Sequence, residues 1–148
     1  LTFRVKDTFG KVEYNGRGDI ETYNDRKEAG LIGHYKTTAE AMFHYYVKPQ
    51  ATGNRTDVRW MSLSDTRNRL MVAAKTPFQF SVTPFSDSVI DRATHINQLS
   101  RDGLLTVHLD ANQSGVGTAT CGPGVAEKYR VPVKPTSFEF VLYPAMTK

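Results

Sequence analysis

Three polar segments hold the residues of this chain that could do chemistry. The first is Gly16-Arg17-Gly18-Asp19-Ile20-Glu21-Thr22-Tyr23-Asn24-Asp25-Arg26. Its glycines permit positive φ or the close approach of another surface, and Glu21, Asp25 and Arg26 can form a charged network beside a site. The plainer reading is a glycine turn with a surface ion pair, a contact that contributes ~0–1 kcal/mol. The second segment, residues 48–60, turns at Gly53-Asn54 and gathers Asn54, Arg55, Asp57, Arg59 and Trp60 around one loop. Amide and charged groups match sugar hydroxyls, and an indole face packs on the C–H face of a pyranose. The same residue types also suit a Trp60 in the core and an Asp57 paired with an arginine. The third segment, residues 108–125, runs from His108 and Asp110 into a small-residue loop with Gly115, Gly117 and Cys121-Gly122-Pro123-Gly124. Long loops of this composition are functional or simply mobile. Cys121 with His108 and Asp110 has the makings of a thiol nucleophile, but no base is positioned by the sequence, and a buried inert thiol fits the same residues.

Several chemistries are excluded. Gly115-Val116-Gly117 lacks the lysine and the strand-to-helix setting of a phosphate loop. A glycosidase needs one acid and one nucleophile or base, and no two carboxylates here stand out as that pair. Glu139 alternates with Phe138 and Phe140 and is expected to face solvent. His34, His44, His95 and His108 show no metal-ligand spacing. The single cysteine rules out an internal disulfide. The net charge of +4 is spread among acids, as at Asp25-Arg26-Lys27-Glu28, so no basic footprint for nucleic acid emerges. No run of apolar residues is long enough for a membrane helix.

The segments need strands to position them. Period-two alternation marks Leu1-Thr2-Phe3-Arg4-Val5-Lys6, Val58-Arg59-Trp60-Met61-Ser62-Leu63, Phe78-Gln79-Phe80-Ser81-Val82-Thr83, Leu105-Thr106-Val107-His108-Leu109-Asp110 and Phe138-Glu139-Phe140-Val141-Leu142-Tyr143. Apolar runs at residues 43–47 and 70–74 read as more deeply buried strands. Turn chemistry at Asn15-Gly16, Gly53-Asn54, Asp102-Gly103 and Gly122-Pro123-Gly124 separates them. One helix is expected over residues 88–98, with Ser86 or Ser88 as its cap, and a second short helix or turn over 24–29. Many strands with little helix mean an all-β sandwich in one domain, residues 1–148. The alternation already under way at Leu1 reads as a cut through a larger polypeptide, so any targeting signal lies upstream and the compartment, bacterial cytoplasm or periplasm, is not fixed.

Together the three segments resemble the small-chain domain at the C-terminus of family 2 β-galactosidases. The first matches that family's pattern through Gly16, Gly18, Glu21, Tyr23, Asp25 and Arg26, then Gly33 and Tyr35, with Asp19 where proline is usual. The second matches through Pro49, Gln50, Gly53, Asn54, Asp57, Arg59 and Trp60, and the third through Asp110, Gly115, Gly117, Cys121-Gly122-Pro123 and Tyr129. Order and spacing agree over residues 12–143. The resemblance implies a large antiparallel β-sandwich, a supersandwich like that of galactose mutarotases, of which this chain is the C-terminal portion. It implies catalytic glutamates on an upstream (β/α)8 barrel and retaining hydrolysis of terminal β-D-galactosides such as lactose. The family's metal ions, Mg or Na, belong to upstream domains, leaving no cofactor for this fragment and no catalytic residue on it. The implied partners are the β-galactoside substrate, the upstream domains and further copies of the full-length chain, with no nucleic acid and no membrane. Some members place a tryptophan of the third loop against the sugar; here that loop carries Cys-Gly-Pro, so the aromatic platform is missing. Cys121 and Thr120, with Asn54 and Arg55 nearby, are the candidate substrate-binding residues, and the isolated fragment is expected to be inactive. A non-catalytic carbohydrate-binding or assembly module is the alternative. A free-standing mutarotase-like enzyme would need a glutamate base opposite a histidine acid, and only His108 or His44 is available.

Overall fold

The structure, a computed structural model, describes residues 1–117 and 122–147. Its strands are β1 (Thr2–Lys6), β2 (Lys11–Arg17), β3 (Ile32–Thr38), β4 (Arg55–Ser64), β5 (Asn68–Thr83), β6 (Leu104–Asp110) and β7 (Phe140–Met146). All pair antiparallel in one sheet of seven strands, ordered β1-β6-β5-β4-β2-β3, with β7 joined to β5 beside that path. The all-β, sandwich-like architecture expected from the alternation is therefore present. The strand at Leu1 finds its partner downstream, with Thr2 opposite His108 and Lys6 opposite Leu104.

Alternation puts one apolar face on a common core. Val12 and Tyr14 of β2, Met61 and Leu63 of β4, Val72, Phe78, Phe80 and Val82 of β5, and Leu105, Val107 and Leu109 of β6 form a single buried cluster. Tyr14 meets Phe80 edge-on at 5.3 Å between ring centroids. Burying each such side chain is worth about 1.5–3 kcal/mol, so this cluster is the main force that holds the sheet together.

The length of β5, 16 residues, lets it serve two halves of the sheet. Its first half, from Asn68 to Ala74, pairs with β7, and its second half, from Gln79 to Thr83, pairs with β6. Between them the register against β4 jumps, from Val58 opposite Phe78 to Trp60 opposite Ala73, so β5 carries extra residues there. Pro77 lies in that stretch and has no N–H to give a ladder. The two apolar runs at 70–74 and 78–83 are thus one bent strand. A second irregularity lies on β4 between Arg55 and Val58, where Asp57 takes φ 54°.

Short elements extend the packing beside the β5–β6 half: α1 (Ala39–Met42) adds Ala39 and Met42 to the main core and leads into Phe43, which packs with Phe85 and with Ile90 of α2 (Asp87–Arg92) in a second cluster. Here two expectations change. Residues 43–47 are no strand, because Phe43 is spent as an anchor in this second cluster. The helix expected over 88–98 stops at Arg92 and a separate 3-10 turn covers Ile96–Gln98. The Gln98 amide oxygen takes the N–H groups of Thr94 and His95 at 2.7 and 3.3 Å, which ends helical bonding there. Residues 24–29, expected as a short helix or turn, form turns, with Tyr23 and Arg26 closing a one-bridge turn at the start.

Leu109 is fully buried at the centre of this packing. Leu109→Ala should cost about 2–5 kcal/mol in urea denaturation; a loss under ~0.5 kcal/mol, the range of a surface change, would mean that β6 does not organise the core.

Candidate functional site

The three polar segments meet at one end of the sheet. β2 delivers residues 18–31, the chain leaving α1 delivers residues 43–54, and β6 delivers the glycine loop after Asp110. Glu21 is the hub of the first two. Its Oε2 accepts from the Thr52 hydroxyl at 2.8 Å and the Gly53 N–H at 3.0 Å, with the Tyr23 hydroxyl at 3.4 Å. Its Oε1 accepts from the Tyr46 hydroxyl and from Arg26 at 3.2 Å. Burial works against ionising Glu21, but the donors from Tyr46, Gly53 and Thr52 and the charge of Arg26 outweigh it, so its carboxyl is held below the ordinary range. Burial and the neighbouring Glu21 push the Tyr23 phenol well up.

Behind this hub, Asn54 and Arg55 are each 3% exposed. The Asn54 amide donates to the Thr22 carbonyl at 2.9 Å and to Gln79 at 2.8 Å. Gln79 donates onward to Asn24 and Asn112 at 3.1 and 3.2 Å, and Asn24 donates to the Gln113 carbonyl at 2.6 Å. The Arg55 guanidinium is satisfied by the Tyr14 hydroxyl at 2.9 Å and by the carbonyls of Gly53 and Asp19 at 3.0 Å each. Both candidate residues therefore sit under the loops with their donors turned to protein acceptors. Asp57 receives Arg17 at 2.5 Å and Lys27 at 3.2 Å; burial opposes its ionisation, and these two cations still hold it below the usual carboxylate range.

The glycine loop is fastened by the first segment. Asp25 accepts the Val116 N–H at 2.9 Å and the Gly117 N–H at 2.6 Å, one on each oxygen. Gly115 is required by this approach, because a Cβ there would lie 2.3 Å from the Asp25 carboxyl carbon, and Gly117 adopts φ 61°. Cys121 and Thr120 lie outside the described residues. Trp60 enters neither the core cluster nor this network; its ring meets His34 edge-on at 5.3 Å. Among the described residues, no group of three or more His, Cys, Asp or Glu stands together as metal ligands. The sequence had singled out Glu21, Asp25 and Arg26, but not Asn24, Tyr46, Thr52, Gln79 or Asn112. Those polar residues belong to no motif on their own, and only the fold brings them together.

These features define the chain as an all-β domain whose polar clamp fixes a glycine-rich loop at one end of its sheet. A family model described as β-galactosidase small chain matches residues 1–142, and the chain belongs to that family. It is 28% identical over 142 residues to a β-galactosidase of Staphylococcus xylosus, covering 96% of this chain and 14% of that protein. A β-galactosidase of Kluyveromyces lactis is 33% identical over 144 residues, covering 95% of this chain and 14% of the relative. One from Bifidobacterium adolescentis is 35% identical over 131 residues, covering 84% and 12%. The chain thus spans only 12–14% of the length of these relatives.

Two outcomes test the clamp. Asp25→Ala should speed amide exchange at Val116 and Gly117 while leaving Val72 and Val107 protected; unchanged exchange at the loop would show that Asp25 does not hold it. A carboxyl with a depressed folded pKa contributes stability above its unfolded pKa and loses that contribution as the pH falls through the folded value. Glu21→Gln should accordingly flatten the acid limb of the stability curve below the ordinary carboxylate range, and an identical acid limb would remove Glu21 as the hub.

Proposed function

We propose that this chain is the C-terminal domain of a β-galactosidase that hydrolyses terminal non-reducing β-D-galactosides with retention, and that its part is to hold a loop at the sugar site. The observation that carries this reading is the seat of the glycine loop on Asp25, which makes the loop's shape a product of the family's own motif residues. The names of the relatives support the activity of the whole enzyme. Retaining hydrolysis needs two carboxyl groups ~5–5.5 Å apart, one protonated to serve as acid. Glu21 and Asp57 are saturated by donors and held ionised, which suits anchors and not a general acid. The catalytic glutamates then belong to another part of the polypeptide, on a (β/α)8 barrel, and the full-length chain works as a homo-oligomer. In this reading the stretch with Thr120 and Cys121 lines the acceptor side of the pocket, and Asn54 and Arg55 serve it through the turns they hold.

A second role, as an assembly module, draws on β7, which leaves Val141, Leu142, Tyr143 and Met146 exposed along a sheet margin. The two roles are compatible, since a domain that lines a site built elsewhere must also dock onto it.

The deciding experiment is hydrolysis of a chromogenic β-galactoside by this chain alone, by the upstream polypeptide cut before Leu1, and by their mixture. Silence from the chain, with activity restored or raised on mixing, is the expected result; clear turnover by the chain alone would overturn the reading. In the restored enzyme, Cys121→Ser should change the Michaelis constant or the aglycone preference, and unchanged kinetics across several galactosides would take that loop out of the pocket.

A further inference from the structure

Gln79 belongs to none of the three polar segments, yet its amide reaches all of them. The residue is 5% exposed, on the second half of β5, and pairs with Asp110 of β6. Its Oε1 accepts from Asn54 of the second segment at 2.8 Å, while its Nε2 donates to Asn24 of the first at 3.1 Å and to Asn112 of the third at 3.2 Å. Backbone groups fix which end of each amide is oxygen. Asn54 must turn its nitrogen to the Thr22 carbonyl at 2.9 Å, and Asn24 must turn its nitrogen to the Gln113 carbonyl at 2.6 Å. Asn112 must turn its oxygen to the Gln113 N–H at 3.0 Å. Only a side chain with an acceptor facing Asn54 and donors facing both other asparagines completes this set.

Beyond Asn112 the two limbs of the glycine loop are tied to each other. The Gly115 N–H donates to the Tyr129 carbonyl at 3.3 Å, and the Val131 N–H donates to the Ser114 hydroxyl at 3.2 Å. Further out the limbs touch, since a Cβ on Gly117 would lie 2.8 Å from the Gly124 carbonyl carbon. Limbs joined in this way turn together, so the loop is aimed by its supports. Asp25 seats it at Val116 and Gly117, and the amide set grips it at Asn112 and Gln113, where it leaves β6.

We propose that Gln79 is a positioning residue for the acceptor side of the galactosidase reaction: it sets the direction in which the glycine loop leaves the sheet, and through the loop the affinity for the aglycone. The inference rests on the role proposed above for that loop and adds a strand residue that touches no substrate. Its chemistry is specific to an amide. Gln79→Glu keeps the shape and the acceptor for Asn54 but replaces the donors by an oxygen. Either that oxygen then faces the oxygens of Asn24 and Asn112, or those amides turn round and release Gln113. Gln79→Leu leaves the same two oxygens without this donor.

The test is the kinetics of the full-length polypeptide on several β-galactosides across pH, with Val72→Ala, a core change on the other half of β5, as the control for lost stability. Gln79→Glu and Gln79→Leu should each raise the Michaelis constant about tenfold with a smaller change in kcat, the pattern of lost binding. The rise should differ from one aglycone to another. Asn112→Ala, at an exposed position, removes the same acceptor without disturbing the core and should act in the same direction. Relative to the parent at each pH, the Gln79→Glu defect should shrink toward acid, where the new carboxyl is protonated and donates one bond, and the Gln79→Leu defect should not. Parent-like Michaelis constants in all three variants, an equal rise in Val72→Ala, or a Gln79→Glu defect that ignores pH would each overturn the role of Gln79 and leave the galactosidase reading standing. A parent polypeptide that turns over no β-galactoside would overturn both.

Discussion

A carboxylate removed from water must be surrounded by donors, and at Glu21 that requirement organises one end of the molecule. The donors come from different stretches of chain: Tyr46 and Thr52 from the segment after α1, the Gly53 amide from the turn before β4, and Arg26 from its own loop. No member of this set is adjacent to Glu21 in sequence, so the set exists only once β2 and β4 are paired, with Tyr14 opposite Met61. The apolar core comes first, and the polar clamp depends on it. In turn the clamp fixes loops that the core cannot reach, because a loop of glycine and small polar residues has little apolar surface to bury.

Much of the fold was legible because period-two alternation reports a half-buried strand directly. The runs at 78–83 and 105–110 appear where expected, carrying Phe78, Phe80, Val107 and Leu109 into the core. Misreadings arose where tertiary context decided the local structure. Phe43-His44-Tyr45-Tyr46-Val47 has strand composition, yet Phe43 is needed opposite Phe85, and the run becomes a bent connector. The apolar stripe over 88–98 suited a longer helix, but Gln98 captures the N–H groups that would have continued it. Periodicity says which face is apolar, and it cannot say which side chain will compete for a backbone donor.

The site was legible in a different way. Glu21, Asp25 and Arg26 are conspicuous because charged residues between glycines demand a reason. Asn24, Gln79 and Asn112 are ordinary polar residues, and their role comes from register: Gln79 faces Asp110 across β5 and β6, which brings its amide to the root of the glycine loop. The sequence also offered Trp60 as a sugar platform, an attractive reading on residue type alone. Its place on the strand, opposite Asn15 and Ala73, turns its ring to His34 instead.

The loop and the strand before it are joined by one short stretch. The Gln113 carbonyl, three residues beyond Asp110, accepts from Asn24 in the clamp. Asp110 is the last residue of β6, so its direction is set by the ladder with β5 and not by the loop that follows. A rigid strand end thus passes directly into a segment held by side-chain hydrogen bonds, with no flexible spacer between them. Geometry imposed at Asp25 is therefore transmitted to Gln113 through a few backbone bonds. Residues Val116 and Gly117 are thereby held on Asp25 at a fixed distance from the strand end, the kind of support from rigid elements that keeps a presented group in place.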